Sequence, residues 1–169
     1  AAFAAAIAGY PGLASAEGYL SSFDPTLVEN MDIVFVDQRG TGPVHGLSCP
    51  LAQARFDIAP APLTDPDAIL SSARTYVQDC TAELGADSLL PVVNTEQAIR
   101  DSELFRERIG APKVWLYGES YGTQLVQAYA TQFPQAVKGV ILDGVVDLTL
   151  PAEGFYRRYT LASEKLLAE

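Results

Sequence analysis

With 169 residues, 49% hydrophobic and 19% charged, the chain can bury one sizeable core and is too apolar to be disordered. Its 13 glycines and 11 prolines exclude a collagenous or low-complexity polymer. Eleven Lys and Arg against 21 Asp and Glu give a net charge of −10, which argues against nucleic acid or an anionic membrane surface as a partner.

The opening run AAFAAAIAGYPG is apolar but has no basic flank, so it reads as a strand buried on both faces rather than a leader peptide. The strand is expected over residues 2–8, ending at the turn Gly9-Tyr10-Pro11-Gly12. Asp24-Pro25 reads as an N-cap with proline at the first helical position, opening a short helix to about Glu29. The β-branched and aromatic run 32–37, DIVFVD, reads as a central parallel strand, and residues 38–62 read mostly as loop. The one histidine of the chain, His45, falls in that loop and is read as a loop residue.

A helix is expected from Asp65-Pro66, with Leu70, Ala73, Val77 and Cys80 on one inward stripe. A second starts near Asn94, with Gln97 as capping partner, and stops at Gly110. Residues 113–117 read as a buried strand. A helix over 121–133 follows, with Leu125, Tyr129 and Phe133 on one face. The pattern closes with a strand over 137–142, the turn Asp143-Gly144 and an amphipathic helix from Pro151 to Glu169. Strands alternating with helices predict an α/β fold, a central parallel sheet flanked by helices with right-handed crossovers. The final helix stops without a cap signal, and both chain ends read as cuts through a longer pattern.

Cys49 and Cys80 lie 31 positions apart. They read either as a disulfide, worth roughly 3.5–4 kcal/mol by loop-closure entropy, or as two buried free thiols. With no CxxC and no histidine cluster, no metal site is expected.

The chemistry-bearing motif is Gly118-Glu119-Ser120-Tyr121-Gly122, a G-x-S-x-G placed between a buried strand and a helix. That context is what a nucleophile elbow requires. A strained backbone lifts the serine hydroxyl clear of the sheet edge, and Gly118 and Gly122 let strand and helix pass closely. The competing reading is an ordinary turn with a capping serine. Acyl transfer also needs two N–H donors for the oxyanion. The Tyr121 N–H, at the helix start, is one candidate, and the turn 8–12 is of the kind that supplies the other. Arg39, in Asp37-Gln38-Arg39-Gly40-Thr41-Gly42, is expected to brace the neighbouring loop through a carboxylate, with Glu119 as partner. Asp143 reads as a turn residue.

Taken together, AGYPG, DIVFVDQRGTG, LSCP, VWLYGESYGTQL and VKGVILDGV resemble the α/β-hydrolases of the proline iminopeptidase and tripeptidyl aminopeptidase family, in that family's order. The resemblance implies a serine exopeptidase, often secreted, that releases residues from peptide N-termini without a cofactor. By resemblance Ser120 is the nucleophile, the Tyr121 and Tyr10 N–H groups form the oxyanion hole, and Cys49 pairs with Cys80. Tyr10 and Leu13 stand where the family's turn is richer in glycine. The family's acid and histidine lie downstream of every residue present here, and the order Ser, acid, His excludes His45. The expected division is therefore a partial hydrolase core over 1–150 and the start of a helical cap over 151–169. The outer strands and most of the cap, with the missing acid and histidine, would come from downstream sequence. An esterase or lipase-like enzyme on the same fold, acting on small esters, and a non-catalytic hydrolase-like fragment are the alternatives. A disulfide together with the resemblance points to the cell envelope or the exterior, and paired thiols are what would separate that from the cytoplasm.

Overall fold

A computed structural model describes residues 3–5, 18, 20–21, 23–42, 46–85 and 89–168. The chain divides into two compact units, residues 1–38 with 95–169 and residues 39–94.

The first unit holds four parallel strands, β1 (Phe3–Ala5), β2 (Ile33–Phe35), β3 (Val114–Glu119) and β4 (Val137–Asp143), in the order β2-β1-β3-β4. The registers pair Ala4 with Val34 and with Leu116, and Leu116 with Val140. The four strands are thus neighbours, as the alternating pattern predicts. The strand within the run 32–37 is shorter than the run itself. Only Ile33–Phe35 pair, half-buried, at one edge of this sheet. The same unit holds α1 (Pro25–Asn30), α4 (Thr95–Arg108), α5 (Tyr121–Gln132) and α6 (Ala152–Ala168), with α5 packed on β3 and β4 and α4 packed on α5. The Asp24 side chain accepts the Thr26 N–H at 2.8 Å, so the predicted cap of α1 is in place.

β3 alternates strictly. Val114, Leu116 and Gly118 are buried, while Trp115, Tyr117 and Glu119 face the other side. Val114 and Leu116 join Ala98 and Ile99 of α4 and Leu125, Val126 and Tyr129 of α5 in one apolar core. On the opposite face the Trp115 ring lies over Gly139, its partner in β4. A Cβ added at Gly139 would meet that ring at 2.0 Å. The helix α4 ends in a Schellman turn. Gly110 has φ +68, its N–H reaches Glu107 O, and the Ala111 N–H reaches Arg106 O.

One charged cluster is built into this core. Glu103, 9% exposed, takes a bidentate pair from Arg106, 2.7 Å on both arms, and the Tyr129 hydroxyl donates to the same carboxylate. Arg106 also donates to the Ala111 carbonyl, which ties the end of α4 to the start of β3. The guanidinium holds the Glu103 carboxyl below the ordinary range, against the opposing effect of burial. Burial first, then the Glu103 bond, pushes the Tyr129 phenol up.

In the second unit, α2 (Pro50–Ile58) and α3 (Pro66–Leu84) form a hairpin; α2 stands where residues 38–62 read mostly as loop, because with Ala52 its one buried residue the helix carries no apolar stripe to read. Cys49 and Cys80 are disulfide-bonded, with Cα atoms 5.2 Å apart. The Glu83 carboxylate accepts the Leu51 and Ala52 N–H groups at 3.1 and 2.9 Å, capping α2 from its neighbour. Arg55 pairs with Asp79 at 2.9 Å, and the Phe56 ring packs on Tyr76. The predicted α3 cap is present, since Asp65 accepts the Asp67 and Ala68 N–H groups. The predicted inward stripe is not. Leu70, Ala73 and Val77 are exposed, and the contact line runs through Tyr76, Cys80 and Glu83. The disulfide and the Glu83 cap set the rotation of α3, so the two lines share only Cys80.

Two outcomes follow from these staples. Reducing the disulfide, or Cys49→Ser with Cys80→Ser, is expected to cost roughly 3.5–4 kcal/mol in the second unit. Faster amide exchange through α2 and α3 is the readout, and unchanged exchange contradicts it. Because the folded-state pKa of Glu103 is depressed, its stabilisation is complete above the ordinary carboxyl value of about 4.3 and fades as pH falls through the folded value. Glu103→Gln should therefore flatten the acid limb of melting temperature against pH. It should also cost about 3 kcal/mol at pH 7, since Arg106 is left half-buried without its partner.

Candidate active site

β3 ends at Glu119 and α5 begins at Tyr121, so a single residue makes the turn between them. That residue, Ser120, has φ 52 and ψ −121, and among the described residues it alone combines a side chain with positive φ. Such a conformation costs about 1–3 kcal/mol and persists only where its surroundings fix it. Three hydrogen bonds do so. The Ser120 N–H donates to Asp143 O at 2.9 Å, and Ser120 O accepts from the Thr123 N–H at 3.0 Å and the Thr123 hydroxyl at 2.7 Å.

The close crossing explains the first glycine of the motif. A Cβ on Gly118 would lie 2.4 Å from Gly122 O and 2.9 Å from Thr123 N, both backbone atoms that cannot swing away. Gly122 is buried at the same crossing. Ser120 itself is exposed, and its side chain makes no cap bond to the helix it precedes. The capping-serine reading therefore fails, because this side chain bonds no N–H of the helix. Tyr121 is the first residue of α5, so its N–H has no intrahelical acceptor and lies at the positive end of the helix.

The Tyr121 phenol shares a 2.7 Å hydrogen bond with the Thr95 hydroxyl at the start of α4. Asp143, the last residue of β4, is exposed and precedes Gly144 at φ +64. The Tyr117 hydroxyl donates to its carboxylate at 3.4 Å, and burial first, then Asp143, raises the Tyr117 phenol. Glu119 is half-buried at the end of β3, and Arg39 is half-buried in the second unit. The turn 8–12, with Tyr10, and His45 lie outside the described residues. Among the described residues no cluster of three or more His, Cys, Asp or Glu is placed to hold a metal, and no helix is long and apolar enough to cross a membrane.

Sequence reading missed Thr123 and Gln127. Thr123 is fully buried, and its hydroxyl also accepts the Val146 N–H at 2.9 Å. The Gln127 amide donates to Thr123 O and Val146 O, at 3.0 and 3.1 Å. The available signal was the three-residue spacing from Ser120 to Thr123, which lets a side chain in the first helical turn reach back to the residue before the helix.

A family model for the alpha/beta hydrolase fold matches residues 7–159. The chain is 33% identical over 121 residues to a tripeptidyl aminopeptidase of Streptomyces lividans, covering 69% of this chain and 22% of that protein. It is 29% identical over 145 residues to the serine protease Hip1 of Mycobacterium tuberculosis, covering 82% and 28%. A proline iminopeptidase of Neisseria gonorrhoeae is 26% identical over 145 residues, covering 86% and 33%. The chain thus spans between a fifth and a third of the length of these relatives.

The crossing predicts a contrast between two glycines. Gly118→Ala should destabilise the chain by about 3 kcal/mol or more, because only backbone could yield. Gly154→Ala, whose Cβ would meet nothing closer than 3.5 Å in α6, should be neutral or stabilise by about 0.5 kcal/mol. Urea unfolding of both variants measures the difference, and similar midpoints would remove the steric argument.

Proposed function

The chain belongs to the α/β-hydrolase family, and from that premise we propose that it carries the nucleophile of a serine exopeptidase acting on peptide N-termini. The observation that carries this reading is Ser120, exposed and held at φ 52 between β3 and the N-terminus of α5.

In this reading the Ser120 oxygen attacks the scissile carbonyl carbon while a histidine takes the hydroxyl proton. The carbonyl oxygen becomes an oxyanion, met by the Tyr121 N–H and by the Tyr10 N–H of the turn 8–12. The same proton then passes to the leaving amine, the C–N bond breaks, and water releases the acyl group from Ser120. Gly118 and Gly122 support the elbow. No histidine follows Ser120 in these 169 residues, so the histidine that this reading requires is not supplied by them. Residues 1–150 then contribute the core and 151–169 the first cap helix. The peptidase names of the relatives favour a peptide substrate over a small ester. The disulfide favours a site outside the cytoplasm.

A serine-directed fluorophosphonate should label the full-length protein at Ser120 and the 169-residue chain only very weakly, because the base is missing. Ser120→Ala should abolish labelling and lower kcat by roughly 10⁶-fold. Strong labelling of the 169-residue chain contradicts the missing-base account. Turnover of short acyl esters without aminoacyl arylamides would shift the substrate class to esters.

A further inference from the structure

The bonds around Thr123 have a fixed direction. A threonine hydroxyl has one proton and two lone pairs. The Val146 N–H, a donor only, occupies one lone pair of Thr123 Oγ1 at 2.9 Å. The single hydroxyl proton is then given to Ser120 O, at 2.7 Å. The Thr123 N–H points at the same carbonyl, at 3.0 Å. Thr123 is 0% exposed, so no water competes for these positions.

Ser120 C=O and Tyr121 N–H belong to one peptide unit. The described peptide bonds are trans, and in a trans peptide the C=O and N–H lie in one plane and point in opposite directions. Whatever fixes the Ser120 carbonyl therefore fixes the Tyr121 N–H. Drawing the carbonyl toward Thr123 aims the N–H out of the N-terminus of α5. A carbonyl that accepts two hydrogen bonds also polarises its peptide unit and makes the attached N–H a stronger donor.

We propose that Thr123 is a positioning residue for the oxyanion donor: its hydroxyl, locked by the Val146 N–H, holds Ser120 C=O and so aims and polarises the Tyr121 N–H. Gln127 secures the other side of this anchor by bonding Thr123 O and Val146 O together. The segment after β4 thereby participates in oxyanion stabilisation without touching substrate. This inference rests on Ser120 as nucleophile and Tyr121 N–H as oxyanion donor.

The test uses the full-length protein and an arylamide or ester that it turns over. Thr123→Val keeps the shape and removes the hydroxyl. It should lower kcat about 10- to 100-fold, less than the outright loss of an oxyanion donor, while KM stays within about twofold. Affinity for a peptide boronate, which binds serine as a tetrahedral adduct, should fall in parallel with kcat/KM. Thr123→Ser keeps the hydroxyl and should restore kcat to within about threefold. A wild-type kcat in Thr123→Val, a loss carried by KM alone, or an equal loss in Thr123→Ser overturns the proposal. Should Thr123→Val fail to fold, Thr123→Cys offers a weaker donor of similar size. An intermediate kcat then supports the proposal, and a wild-type kcat overturns it. Turnover surviving Ser120→Ala would overturn the nucleophile assignment itself. A dead Ser120→Ala beside an unimpaired Thr123→Val overturns only the role of Thr123.

Discussion

The crossing of β3 and α5 at Gly118 governs the rest of the site. Strand and helix come so near there that a methyl group on Gly118 would stand 2.4 Å from a backbone oxygen. A one-residue turn at that separation has no relaxed solution for an L-residue, so Ser120 takes the positive φ. The strain persists because both ends of Ser120 are tied, its N–H to β4 and its carbonyl to the first turn of α5. The exposure of Ser120 and the place of the Tyr121 N–H at the helix start both follow from this backbone path.

That path needs a rigid floor. The floor is the apolar core between β3, α4 and α5, with the Glu103–Arg106–Tyr129 cluster at one end. A buried ion pair adds little net stability over an apolar filling of equal shape. Its service here is geometric. Arg106 reaches the Ala111 carbonyl, Glu103 reaches Tyr129 of α5, and so the approach to β3 is fixed relative to the helix that follows it. Trp115 over Gly139 performs the corresponding task on the other face, setting β4 against β3 at the strand pair where a side chain on residue 139 would not fit.

The second unit is held by different means. Its helices bury little, Ala52 in α2 and Cys49 just before it, and the hairpin depends on a disulfide, a carboxylate cap and one aromatic pair. Small helical hairpins cannot bury enough apolar surface to hold themselves, and cross-links supply what the core lacks. Leu70 and Val77 remain exposed for the same reason, since a two-helix hairpin covers only one line along each helix.

Local signals in the sequence determined most of the elements, α2 excepted: Asp-Pro caps opened α1 and α3, Gly110 closed α4, and the apolar run 113–117 before the G-x-S-x-G spacing placed the elbow. These are legible because each depends on chain neighbours within one or two turns. The tertiary structure alone decided three things. It put β2 at an edge, it turned α3 so that Tyr76 and Glu83 rather than Leu70 and Val77 meet α2, and it brought Val146 onto the hydroxyl of Thr123. Each is a contact between residues far apart along the chain. Periodicity reports which face of an element is apolar, but the partner that covers that face, and the rotation at which it does so, follow from packing.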